Sequence, residues 1–144
     1  MSSNALTRPH APARPQVQTD YADASQVPFI VIPKRLTAPD GMALRPRDLA
    51  VVVWQGKTVY AMVGDIGPAK KIGEASHALL KLLGTSTVSP KTPATTVIFP
   101  ETADLLSETW PLSPAAIEAE GHKLVEAANR AGKLTSCKGL ESLR

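Results

Sequence analysis

Asp65 and Glu74 stand nine residues apart in VYAMVGDIGPAKKIGEASHALLKLLG, residues 59–84, among apolar residues and glycines. Two carboxyl groups across an open groove are the minimum equipment for glycoside hydrolysis. One protonates the leaving oxygen, and the other activates water or attacks the sugar carbon. The segment between them carries Gly67, Pro68 and Gly73, a turn in which missing side chains leave room for a ligand. A plainer reading fits the same spacing. An Asp at a strand end caps a turn, and a Glu in the first turn of a helix is favoured by the macrodipole. That dipole favours the anion, whereas a general acid must keep its proton. Glu74 can be the acid only if burial or a second carboxylate outweighs the dipole.

The elements that must hold this pair are legible from pattern. PFIVIPK (28–34) is a short β-branched strand bounded by prolines. LAVVVWQ (49–55) and TVYAMVGD (58–65) are apolar runs separated by Gly56-Lys57, which predicts a tight hairpin with both faces covered. ATTVIFPE (94–101) is a further strand, and Pro39-Asp40-Gly41 marks a turn in the loop before residue 49. A helix is expected over 74–83, with Ala75, Ala78, Leu79, Leu82 and Leu83 as one apolar stripe and Gly84 as its C-terminal cap. A second begins at the N-cap Ser113, with Pro114 at its first position and Gly132 beyond its end. Its apolar face is read as Ile117, Leu124, Ala128 and Ala131, with Gly121 allowing close approach. The polar, Pro/Ala-rich residues 1–25 read as a flexible arm, and 26–144 as one domain. The expected fold is α+β and β-rich, a small closed or partly closed barrel or a highly twisted sheet with one or two packed helices.

Composition narrows the function classes. A net charge of +3 without a Lys/Arg stripe does not indicate a nucleic-acid binder. No apolar run is long enough to span a membrane. Cys137 is the only cysteine, so no internal disulfide forms, and no paired base marks it as a nucleophile. His10, His77 and His122 lack metal-ligand spacing, so neither a metal nor another cofactor is expected. Gly-x-Ser-x-Gly and the P-loop are absent from the sequence. Residues 1–21 show no signal-peptide apolar region, so the expected localisation is the cytoplasm before delivery, or the exterior by a non-classical or dedicated route. Trp54 and Tyr60 are candidates for stacking on sugar faces, although large aromatics are core residues by default. Ser76 is two residues after Glu74 and either orients it, binds a substrate hydroxyl, or caps the helix.

The wording of the segment adds a family. GDIGPAKKIGEAS closely resembles the core motif of the fungal-type chitosanases, glycoside hydrolase family 75. Those enzymes carry an Asp in a GD…GP segment, a GE.S element nine residues after it, and then an apolar helix. The resemblance runs upstream through DLAVVVWQGKTVYAMVGD to FIVIP and downstream through ALLKLLG to TTVIFP, about residues 28–100. It implies endo-hydrolysis of β-1,4-linked glucosamine polymers with inversion, with Glu74 as general acid and Asp65 as general base. Inversion needs room for a water between carboxyl groups about 6.5–9.5 Å apart. The Gly-Asp…Gly-Pro turn is also similar to the catalytic turn of small double-psi barrels, a fold-level analogy.

Lys70 and Lys71 sit inside the motif, and Asp48 and Glu101 are the nearest other acids in sequence. Lys71 as a substrate contact suits a carboxylate-bearing glycan such as peptidoglycan better than polycationic chitosan. The cell-wall variant fits an antibacterial effector domain with a secretion apparatus or an immunity protein as partner. The other class of function is a non-catalytic glycan- or protein-binding module on the same scaffold. Keeping both acids argues against it.

Overall fold

The computed structural model describes residues 6, 8–9, 22–38, 40–67, 74–85, 94–134, 140 and 143, and of Glu74 the backbone. In chain order the elements are β1 (Phe29–Pro33), β2 (Leu49–Trp54), β3 (Lys57–Gly67), β4 (Glu74–Ala75), α1 (His77–Leu83), β5 (Thr95–Phe99), a 3₁₀ turn (Ala103–Leu106) and α2 (Pro114–Arg130). The strands form one sheet in the order β4-β1-β3-β2-β5. β1 runs parallel to β3, and the other three pairs are antiparallel. No helix among the described residues is long and apolar enough to cross a membrane.

Strand alternation sorts the core onto two faces. Ile30, Ile32, Ala50, Val52, Val59, Ala61 and Val63 point to one side, where Leu79 and Leu83 of α1 cover them. Phe29, Leu49 and Met62 point to the other, under Ile117 of α2 and Leu106 of the 3₁₀ turn. Val51 and Val53 continue that second face beneath Val125. The sheet is therefore open, with β4 and β5 as separate edges and a helix on each face. This corrects the expected barrel. Near-continuous apolar strands did mean that both faces are covered, but helices cover them and the sheet does not close on itself.

Local chemistry sets most element ends. The β2–β3 turn uses Gln55 (φ 46) and Gly56 (φ 78), both left-handed, with Trp54 and Lys57 as the last pair. The turn thus sits one residue earlier than Gly56-Lys57, because a two-residue loop with positive φ at both positions matches strand twist. At α2, the Ser113 side chain accepts from the Ala116 N–H and Pro114 takes the first turn, where no N–H is needed. Its buried residues are Ile117, Gly121 and Val125, while Ala131 is exposed.

The described part of the N-terminal segment belongs to this core. Leu6 is fully buried with Phe29 and Met62, and the Ala22 N–H donates to the Leu6 carbonyl at 2.7 Å. Of the flexible arm expected over 1–25, most residues lie outside the described ones.

Asp48 is the one charged side chain among the described residues that is fully buried. Its carboxylate accepts from the N–H groups of Arg45 (2.8 Å), Thr102 (3.0 Å) and Ala103 (3.0 Å). It ties the loop before β2 to the loop after β5. Its own carbonyl accepts from the Val63 N–H at 2.8 Å, so the brace reaches β3 two residues before Asp65. In Asp48→Asn the amide NH₂ must face at least one of these donors. An expected loss of about 1–3 kcal/mol follows, and chemical denaturation measures it.

Candidate active site

Asp65 lies inside β3, two residues short of its end, and is half-buried. Its Oδ1 accepts from the Ile66 N–H at 2.8 Å. Its placement depends on an irregularity. Ile30 pairs with Val63, but Val31 pairs with Asp65, so Gly64 is an extra residue in β3. An extra residue of this kind shifts the alternation by one. Val63 faces α1, Asp65 takes the face of Val31, the side of the sheet on which α2 packs, and Ile66 returns to the α1 side against the cluster there. A Cβ on Gly64 would lie 2.3 Å from Cδ2 of Phe29, so the glycine admits that buried ring beside Asp65.

Glu74 belongs to β4 and not to the helix, which begins at His77. α1 has no acidic residue in its first turn, so the macrodipole argument about Glu74 falls away. In the sheet Glu74 pairs with Val31 and Ala75 with Ile30. Val31 thus has Asp65 as its partner on one side and Glu74 on the other. The two acids, nine residues apart in sequence, occupy the ends of one three-residue row across β3, β1 and β4.

Ser76 holds this row in place. It is 3% exposed, its hydroxyl donates to the Val27 carbonyl (2.8 Å), and its oxygen accepts from the N–H groups of Phe29 (2.9 Å) and Leu79 (3.2 Å). It is the N-cap of α1 and the clamp that fastens β4 to the start of β1. Of the roles open to Ser76, this geometry supplies capping and positioning, and leaves the hydroxyl no open side for a sugar. Ser76→Ala orphans buried donors and is expected to cost about 2–3 kcal/mol, read as a lowered melting temperature. Turnover should fall with it if the position of Glu74 matters.

The other described candidates lie apart. Trp54 packs on the α1 face, opposite Asp65. Tyr60 shares the face of Asp65 but is five residues back along β3, about 16 Å away at the usual rise, and packs beside α2. Lys70, Lys71, Ile72, His10 and Cys137 lie outside the described residues. Glu101 is exposed at the tip of a turn. Among the described residues no three of His, Cys, Asp and Glu converge on a point that could hold a metal. Sequence reading did not single out Phe29, Val31 or Gly64 as positioning residues. The Gly-Asp pair in the motif was the signal available, since a glycine inside an apolar strand marks a bulge or a close approach.

Compared with models of protein families, residues 6–99 match the one described as fungal chitosanase of glycosyl hydrolase group 75. That bears out the resemblance read from GDIGPAKKIGEAS and extends it upstream to Leu6. No curated protein matches the chain.

Proposed function

The chain belongs to the fungal chitosanases of glycosyl hydrolase group 75, and on that premise we propose that it cuts a β-1,4-linked glucosamine polymer internally, with inversion, through Asp65 and Glu74. The observation that supports this reading is the row Asp65–Val31–Glu74. It spans two strand spacings, about 9.5 Å between Cα positions. Carboxyl groups carried on such a row can sit within the separation that leaves a water between base and sugar carbon. Glu74 is assigned as general acid and Asp65 as general base. In this assignment Asp65 takes a proton from the water as it attacks C1, and Glu74 gives its proton to the departing glycosidic oxygen. Val31, between the two acids in the sheet, gives the site an apolar floor, which strengthens electrostatic interactions above it.

Incubation with chitosan, reading reducing ends, product masses and the first anomer formed by proton NMR, tests the proposal. Oligomers of mixed length with the α anomer appearing first are expected. Release of one short product from the start would remove the endo assignment, and an initial β anomer would remove inversion. The peptidoglycan variant rests on Lys70 and Lys71. Purified peptidoglycan is therefore the second substrate in the same assay. Delivery as an antibacterial effector, with a secretion apparatus or immunity protein as partner, depends on new reducing ends appearing in that arm.

A further inference from the structure

A cavity of about 350 Å³ opens between α2 and the first residues of β3, well away from Asp65. Its volume is at the lower end of the range for small-molecule sites. Glu118, His122, Glu126 and Asn129 line one wall, and Thr58 and Tyr60 the other. Among the described residues that line it there is no lysine or arginine, so it is acidic within a chain of net charge +3.

The aromatic wall is built in. Gly121 brings the α2 backbone so close to Tyr60 that a Cβ there would lie 2.5 Å from the ring. His122 meets the same ring edge-on, with centroids 6.3 Å apart at 68°. His122 Nδ1 also lies 3.5 Å from Glu126 Oε1. Burial pushes the phenol of Tyr60 up from its ordinary range, and the charges of Glu118 and Glu126 push it further. Its hydroxyl therefore keeps its proton and remains a donor on the cavity wall.

The spacing of the acids says what would fit. Glu118 and Glu126 are eight residues apart on one helix, about 12 Å along its axis. A single metal ion cannot use both. A chain with an ammonium on each repeating unit and hydroxyls between can, since each cation meets a carboxylate and the hydroxyls meet Tyr60. We propose that this cavity is a second binding site for the protonated amino sugars of a glucosamine polymer, separate from the Asp65–Glu74 row. The identity of the ligand rests on the chitosanase reading; the site itself does not. Its role is to hold a polymer strand beside the enzyme and raise its local concentration at the cleft.

The test uses the full chain carrying Asp65→Asn, which prevents turnover during titration. Amide shifts of His122, Glu126 and Asn129 are followed against a glucosamine oligomer and against its fully N-acetylated counterpart. Saturable shifts with the amine oligomer are expected, and no more than weak ones with the acetylated form. Glu118→Gln with Glu126→Gln, both exposed and nearly isosteric, should weaken this binding about five- to tenfold. In the otherwise unaltered enzyme the same pair should leave hydrolysis of a short soluble oligomer unchanged. Three results would each overturn the proposal: no shifts in α2, equal shifts with the acetylated oligomer, or equal binding by the double variant. If α2 responds as expected while the enzyme fails to cut chitosan, the proposed activity fails and the site stands. Cutting without the response leaves the activity and removes the site.

Discussion

Asp65→Asn and Glu74→Gln are each expected to lower chitosan hydrolysis about 10²–10⁴-fold, the usual contribution of a positioned acid or base. Both changes are nearly isosteric, and among the described residues Asp65 makes a single local hydrogen bond, accepted from the Ile66 N–H. Melting temperature and near-UV circular dichroism should therefore stay at their original values. A stable, fully active variant would remove that residue from the mechanism. A large loss of stability with proportionate loss of activity would make the carboxylate structural. The two roles separate by leaving group. An aryl glucosaminide with a good leaving group needs no proton, so Glu74→Gln should recover most of its rate on it. Asp65→Asn should not, because the attacking water still lacks its base. Added azide needs no base and should rescue Asp65→Ala, giving a glycosyl azide of inverted configuration. Recovery in the opposite pattern would exchange the two assignments.

Much of the scaffold was legible because its signals are local. Alternating and continuous apolar runs marked β1, β2, β3 and β5 to within two residues, and Ser113-Pro114 and Gly84 marked helix ends where their caps are found. β4 was not legible. Glu74 and Ala75 are good helix formers, and Ala75 continues the apolar stripe of α1. The true start is set by Ser76, whose hydroxyl is held by Val27 and Phe29, residues nearly fifty positions away. The misplacement mattered, since it attached a dipole argument to a residue that lies in a sheet. The parallel β1–β3 pair was equally hidden, because nothing local in FIVIP names its partner strand. The barrel expectation failed for a related reason: periodicity reports that a face is covered and not what covers it. The acid pair itself was proposed from residue types and motif. The row that joins the two acids through Val31 exists only once three strands distant in sequence come together.

The glycine of that motif carries the second large expected effect. Gly64 is the extra residue between the pairs Ile30–Val63 and Val31–Asp65, and it is what turns Asp65 onto the face of Val31. In Gly64→Ala the new methyl would lie 2.3, 2.5 and 2.8 Å from Cδ2, Cγ and Cβ of Phe29. Phe29 is 1% exposed and is fixed among Leu6, Leu49, Met62 and Ile117, so its ring has no free direction to move. Either β1 parts from β3 or the ring displaces its neighbours. A cost of about 3 kcal/mol or more is expected for such overpacking, a fall in melting temperature on the order of 10 °C at this chain length. Because β1 carries the middle of the acid row, hydrolysis should drop further than the unfolded fraction accounts for. Phe29→Leu removes the ring atoms that clash and is expected to cost about 1–2 kcal/mol alone. Added to Gly64→Ala, it should restore both stability and rate, so that the double variant is more stable than Gly64→Ala by itself. Simple additivity of the two losses would show that Gly64 and Phe29 do not act as a unit, and would leave the orientation of Asp65 to some other contact.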